Sequence, residues 1–438
     1  MNLMESPPID LPVSHEASRQ QPARTRHVGV WLCAALLFAA GVFVRVVPSA
    51  GFSGAGFDEV LYRNYVIQLE HVGLGGYPAM CEHYLQDQRK AETMTKLPPT
   101  RFLYVLSGYL WKRAVFGDAR ASDVRSADLA QKDPALIALR SVSCFFSILL
   151  LGLAGLCGRR MFGNPAAIGI LALMAFAPLQ IHMGQHALID GFFAFWAMLC
   201  LWTLWENLRH PDSPGWLIAY ACSLVLMVLT KENAFFVYVA LWGLVTVNRW
   251  TRFGTTTPKL LLVMCAAPLM GVAILVALAG GLEPFIEIYR LLVTKAETLR
   301  YAIMTGDGPW YRYLVDLMIM SPIILCLALT GLFTSVRQSR ELLYLTLFVA
   351  FSYLVMCNVK YGMNLRYATI WDLPLRAVAI AQIGVIGTFF ERRRALVTVI
   401  LVAALCAYEL RQYVIFFKDF GLYELVTEGL VRAVKILK

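Results

Sequence analysis

Apolar stretches about as long as a bilayer is thick recur along this chain from residue 28 to residue 416, and no other feature restricts its fold as strongly. A helix needs about 20 residues to cross the hydrocarbon core, where every backbone N–H and C=O must find its partner within the segment. The chain therefore reads as helical throughout, with spans at 28–47, 137–157, 166–180, 191–207, 216–230, 233–248, 259–281, 312–334, 341–357, 367–389 and 395–416. Composition agrees: 58% of the 438 residues are hydrophobic and 16% charged, and the mean hydropathy is +0.61, far above that of a soluble domain. The expected architecture is an all-α, polytopic bundle of about 11 transmembrane helices.

The formal charge of +10 does not point to nucleic acid. The cations are spread over short loops, with no basic stripe and no interleaving of aromatic and basic residues. They sort instead by side. With the N-terminus inside, the loops expected in the cytoplasm carry Arg159, Arg160, Arg209, Arg249, Arg252, Arg337, Arg340 and the run Arg392–Arg394, as the positive-inside rule requires.

Nine of the ten cysteines fall within or at the ends of spans, and Cys81 alone lies in a long loop, so neither a disulfide framework nor a metal-type cysteine spacing follows. Residues 1–27, rich in Pro, Ser, Arg and Gln, read as a disordered cytoplasmic tail ahead of a retained signal-anchor. Residues 28–416 form the membrane domain, and 417–438 a short amphipathic C-terminal tail.

Alternating the spans puts 48–136, 181–190, 282–311 and 358–366 on the outer face, with the turn at 230–233. Most of the unusual polar residues fall there: Asp58, Glu59, Lys96, His182, His186, Asp190, Lys231, Glu232, Arg290, Lys295, Tyr361 and Arg366. Ionisable groups at membrane depth are costly and face a cavity or a partner, so their convergence on one side predicts a polar site. The first outer segment, 48–136, is too long for an idle connector and should carry helices of its own. Within it, 101–116 has apolar positions at helical spacing between Arg and Lys, which suits an interfacial helix; a further span is the alternative.

Each candidate has a chemistry and a plainer reading. Asp58 or Glu59 could take the proton of an attacking hydroxyl, or the two could be a solvated surface pair. Lys96 precedes "LPPT", whose prolines stiffen the backbone and would present the cation to a phosphate. Arg290, Lys295 and Arg366 add positive charge that could neutralise a phosphate leaving group, or snorkel to lipid headgroups. Asp190 opens a span and can cap it. Lys231 and Glu232 sit at a break between spans, paired or lining a cavity. His182 and His186, four apart, would share a helix face; with no third ligand placed, polar lining outranks a metal site. A divalent metal is left open, and no other cofactor is called for.

The motifs "FDE", "KLPP", "ALRSVSC", "GRRMFG", "ALIDGFFAF", "TKENA", "GPWYRY" and "LRYATIWDLP" follow in an order, and with an outward sidedness, that resembles the GT-C class of membrane glycosyltransferases. That class includes the protein O-mannosyltransferases and the bacterial lipid A aminoarabinose transferases, and the likeness runs from about residue 28 to 390. The resemblance implies a GT-C-like bundle that transfers a sugar from a polyprenyl-phosphate donor to a hydroxyl of a protein, lipid or glycan, with inversion. It implies an active site on the non-cytoplasmic face, in a bacterial inner membrane facing the periplasm. Carried over, Asp58 is the base, Glu59 a positioning or supporting acid, Lys96 the donor-phosphate contact and Asp190 the second acid; Arg366 and Tyr361 lie near the lipid phosphate. The chain departs from the pattern where Leu97 splits Lys-Pro-Pro, and where 117–133 lengthens the first loop.

A transporter is the rival class, since it too places charges near spans; internal repeats and midplane charges, which mark transporters, are not seen. A non-catalytic glycolipid-binding scaffold of the same fold is a third reading.

Overall fold

The computed structural model describes residues 23–47, 54–117, 132–360 and 362–435, and every regular element among them is helical. Helix α1 (Ala23–Val46) leads to α2 (Phe57–Val72), α3 (Tyr77–Lys90) and α4 (Phe102–Phe116), followed by the long α5 (Pro134–Phe162). Then come α6 (Asn164–Ala175), α7 (Pro178–Gln185), α8 (Ile189–Arg209), α9 (Pro214–Val228), α10 (Ala234–Thr251) and α11 (Pro258–Leu278). The second half holds α12 (Leu282–Ala296), α13 (Arg300–Thr305), α14 (Arg312–Met320), α15 (Pro322–Gly331), α16 (Ser335–Gln338) and α17 (Arg340–Met356). A 3₁₀ segment, Leu365–Trp371, runs into α18 (Asp372–Thr388), and α19 (Arg394–Tyr413) and α20 (Thr427–Ala433) close the chain. Most of the tail expected to be disordered lies outside the described residues.

Proline starts many of these helices for a simple reason: at the first helical position its missing N–H deprives the helix of nothing and its fixed φ is already helical. Pro134, Pro178, Pro214, Pro258 and Pro322 all sit there. Asp133 completes the start of α5, its Oδ1 accepting from the backbone N–H of Ala135 and Leu136 at 2.9 and 3.0 Å. Two of these prolines also break spans expected to be continuous. The stretch 166–180 is a bent pair, α6 and α7, turning through 55° ahead of Pro178, and 312–334 is divided at Ser321 and Pro322 into α14 and α15.

Five described helices are long and apolar enough to cross a membrane, and the bent pair makes six; α9 and α15 are apolar but shorter. This is an integral, multi-pass membrane protein. The apolar window of α1 is only 11% buried, and Trp31, Leu32, Leu36 and Phe43 face outward, as a lipid-facing helix should. The window Leu365–Thr388 is 72% buried and runs through the centre. There Arg376 pairs with Asp372 and, at 2.6 Å, with Glu409 of α19, while Gln180 of α7 donates to Asp372 at 2.8 Å. Each buried charge thus has its partner, the condition for keeping one inside a membrane protein.

In the described part of the long first segment, α2, α3 and α4 pack into one core that they share with α5, α8, α11 and α12. Tyr62, Val66 and Leu69 of α2, Tyr77, Met80 and Tyr84 of α3, and Tyr104 and Val105 of α4 are all buried together. The helix expected at 101–116 forms as α4, which packs on α2 and α5. Gly108 allows this closeness: a Cβ there would lie 2.5 Å from Leu139 Cδ2. Ion pairs between Lys112 and Glu70 and between Arg63 and Asp133, each at 2.6 Å, fasten α2 to α4 and α5. That rigid packing sets the N-terminus of α2, and hence Asp58 and Glu59, against the ends of the spans.

Candidate active site

Two adjacent carboxylates at the start of α2 take opposite fates because successive helix positions point in different directions. Glu59 turns inward and is fully buried. Its carboxylate accepts Arg140 Nε and Nη2, both at 2.8 Å, the Ala187 backbone N–H at 2.6 Å and the Gly56 N–H at 2.8 Å. His186 Nδ1 is 3.8 Å away. Burial pushes the Glu59 carboxyl up, but the neighbouring His186 ring and the hydrogen-bonded Arg140 guanidinium outweigh it and hold the group well below the usual carboxylate range. Glu59 ties α2, α5 and the α7–α8 turn together behind the site.

Asp58 turns the other way. Its Oδ2 lies 2.8 Å from Arg366 Nη1, and its side chain keeps 11% exposure. Arg366 is held by the loop before the 3₁₀ segment, where the Asn364 side chain accepts the Arg366 backbone N–H at 3.1 Å. The same guanidinium reaches Asp190 Oδ2 through Nε at 3.4 Å. Asp190, in the first turn of α8, takes Lys231 Nζ on Oδ1 at 2.6 Å, and Lys231 stands 4.0 Å above the Tyr367 ring. Four expected residues from four segments thus form one chain of charges: Asp58, Arg366, Asp190 and Lys231.

Glu232 sits beside this chain, in an ion pair with Arg101, whose Nη1 donates to the Tyr62 hydroxyl at 2.5 Å. Tyr62 is one helical turn beyond Asp58, so Arg101 joins the "TKENA" turn to α2. Tyrosines hold the "KLPP" elbow: Tyr65 and Tyr77 donate to the carbonyls of Leu97 and Pro99, both at 2.6 Å. What the elbow delivers into the cluster is Arg101. Lys96 lies apart, in an ion pair with Asp87 that holds that carboxyl below its ordinary range. Arg290, on α12, is largely exposed and pairs with Glu287 at 2.8 Å. Tyr361 lies outside the described residues.

His182 and His186 have ring centroids 4.7 Å apart, but His182 is used otherwise, stacked at 4.1 Å on Phe417 with Nε2 3.2 Å from the Tyr423 carbonyl. Among the described residues no group of three His, Cys, Asp or Glu side chains has the arrangement to hold a metal ion.

Sequence reasoning passed over Arg101 and Arg140, although Arg101 comes directly after "LPPT" and Arg140 stands within "ALRSVSC". It also passed over Tyr423 and Glu424, which come from the far end of the chain. Glu424 Oε1 is 3.9 Å from Arg366 Nη1, and nothing local in the sequence announces that approach.

Fold and cluster together define a polytopic membrane protein of the GT-C architecture, with acids and cations gathered at the ends of its helices. Residues 89–284 match the family described as dolichyl-phosphate-mannose-protein mannosyltransferase. The structure is similar to that of ArnT from Cupriavidus metallidurans in the apo state, with a TM-score of 0.50 and 13% identity over 94% of this chain and 75% of that one. It is similar too to the Archaeoglobus fulgidus oligosaccharyltransferase AglB in complex with an inhibitory peptide and a dolichol-phosphate, with a TM-score of 0.54 and 11% identity over 89% of this chain and 56% of that one. The same archaeal enzyme tethered to an acceptor peptide gives 0.54 and 13% identity, over 92% and 56%. The chain spans little more than half the length of that enzyme. At these identities the likeness is one of fold. No curated protein sequence matches the chain.

Proposed function

We propose that the protein transfers a sugar from a polyprenyl-phosphate donor to an acceptor hydroxyl at the non-cytoplasmic face of the membrane, with inversion and with Asp58 as base. The observation that carries this reading is the bridge from Arg366 to both Asp58 and Asp190, beside a chain segment matching a dolichyl-phosphate-mannose-dependent family.

The acceptor oxygen attacks the anomeric carbon from the side opposite the phosphate. Its proton passes to Asp58 as the new C–O bond forms. The bond from the anomeric carbon to the phosphate oxygen breaks, and its electron pair leaves on the polyprenyl phosphate. Arg366, with Lys231 behind it, meets that growing negative charge; a planar guanidinium suits two phosphate oxygens at once. Asp190 keeps both cations in place. Glu59 acts through position, fixing the first turn of α2 against α5. Lys96 and Arg290, engaged elsewhere, are outside the proposed phosphate contact. A bacterial inner membrane, with the site opening to the periplasm, belongs to the same proposal.

The test uses radiolabelled polyprenyl-phosphate sugars with purified protein in detergent and crude envelope acceptors, comparing the natural chain with Asp58→Asn. The expected result is transfer from one donor of the panel that the variant loses. Equal turnover by both proteins would remove Asp58 as base. Absence of any donor consumption or binding would remove the glycosyltransferase reading.

A further inference from the structure

Beyond α19 the helix continues as a π-helical stretch, Val414–Asp419, and the segment Phe420–Val426 then comes back over the acid–cation cluster. The contacts are specific. The Leu365 N–H donates to the Leu425 carbonyl at 3.2 Å, right beside Arg366. Asn364 Nδ2 donates to Glu424 Oε2 at 3.4 Å, and Glu424 Oε1 lies 3.9 Å from Arg366 Nη1. The Tyr423 ring meets His186 edge-on at 5.3 Å. It also covers Gly56, where a Cβ would lie 1.9 Å from Tyr423 Cζ.

The charges in this arrangement do not balance. Arg366 and Lys231 bring two positive charges to Asp58, Asp190 and Glu424, which bring three negative ones. A phosphate arriving with Glu424 in place would meet a cluster already negative, and close like charges repel strongly where water is scarce. With Glu424 withdrawn, the cluster is neutral and Arg366 has donors to offer. Glu424 is also the most loosely held of the three acids: its side chain is 29% exposed, against 11% for Asp58 and 3% for Asp190, and its contact with Arg366 is the longest.

We propose that Glu424 is an internal counter-anion occupying the donor-phosphate subsite on Arg366, and that an arriving prenyl phosphate exchanges with it, displacing the segment around Tyr423 and Glu424. The inference rests on the reading of this cluster as the donor-phosphate site. It assigns the exchange a mechanistic consequence. While Glu424 is bound, Arg366 stays paired with Asp58 and the base is occupied. Once the phosphate takes the guanidinium, Asp58 is released to accept a proton, so the base is uncovered only when a donor is present.

The test measures binding of farnesyl phosphate to the full-length protein in detergent, with farnesol as the uncharged control. Glu424→Gln keeps the shape and removes the charge, at a position exposed enough to tolerate the change. It should bind farnesyl phosphate about tenfold more tightly than the natural chain, within the range of site-to-site couplings, with farnesol binding unmoved. Gly56→Ala, which pushes the Tyr423 ring away from the opposite side of the contact, should move affinity in the same direction. Arg366→Gln should lose the preference for farnesyl phosphate over farnesol. If Glu424→Gln binds no more tightly than the natural chain while Arg366→Gln still loses binding, Glu424 is not the surrogate and the phosphate-site reading survives alone. If the natural chain and Glu424→Gln both fail to prefer farnesyl phosphate over farnesol, the phosphate-site reading falls and takes this inference with it.

Discussion

Asp58 Oδ2 and Arg366 Nη1 lie 2.8 Å apart although 308 positions separate them in the chain, counted from their residue numbers. This contact joins α2 to the 3₁₀ segment that enters α18. It brings a base candidate and a phosphate-binding candidate within one hydrogen bond of each other.

Replacing Asp58 by Asn removes the proton acceptor while keeping the shape and a hydrogen bond to Arg366. A positioned general base contributes on the order of 10²- to 10⁴-fold. Turnover of the labelled donor should fall by at least about 100-fold, with the thermal unfolding midpoint in detergent little changed. A variant retaining more than a tenth of the natural rate would exclude Asp58 as base.

Arg366→Lys keeps the charge but gives up the planar fork that reaches Asp58 and Asp190 together. An ammonium on a flexible stem cannot hold both carboxylates and then accept a phosphate in the same way. Donor affinity should weaken by about tenfold or more in a binding titration, consistent with the loss of a charge-assisted hydrogen bond. Unchanged affinity would show that charge alone matters there.

Glu59 predicts a pH-dependent stability. Its carboxyl is depressed in the folded protein by Arg140 and His186 despite burial. A depressed carboxyl contributes stability that is complete above its unfolded value, about 4.3, and is lost as pH falls through the folded value. Glu59→Gln should therefore be less stable than the natural chain at pH 7 by about 2 kcal/mol, short of a fully buried pair because Arg140 keeps some solvent contact. The gap between the two proteins should narrow below about pH 4. A gap constant across that range would mean that the Glu59 charge is not what the pairing uses.

Lys96 and Arg101 divide a role that one motif suggests. Lys96→Ala breaks an exposed pair with Asp87, the kind worth about 1 kcal/mol or less, and donor turnover should stay within about threefold. Arg101→Ala leaves Glu232 without its partner beside the cluster and frees the Tyr62 hydroxyl. It should lower both thermal stability and turnover. The reverse ranking in turnover would return the phosphate contact to Lys96.

The membrane class and the helical architecture could be read from sequence, because each depends on local and additive quantities. An apolar run about 20 residues long is a spanning helix in almost any context. The candidates Asp58, Asp190, Lys231 and Arg366 were legible for a related reason: charge at the end of a span is too costly to be idle.

Which of those residues meet, and which turn away, was decided only by tertiary structure. Asp58 and Glu59 are neighbours with the same chemistry, and only the seating of α2 against α5 makes one a rim group and the other a buried anchor on Arg140. Lys96 and Arg101 flank the same prolines, and only the tyrosines of α2 and α3 settle which cation the elbow turns inward. Glu424, remote in sequence from every motif, reaches Arg366 because the chain runs back across the site once the π-helical continuation of α19 ends at Asp419. Sequence determined what each segment can be, since a backbone group in lipid has few choices. The fold decided the pairings, since a charge–charge contact depends on distances of a few ångströms between segments that only packing brings together.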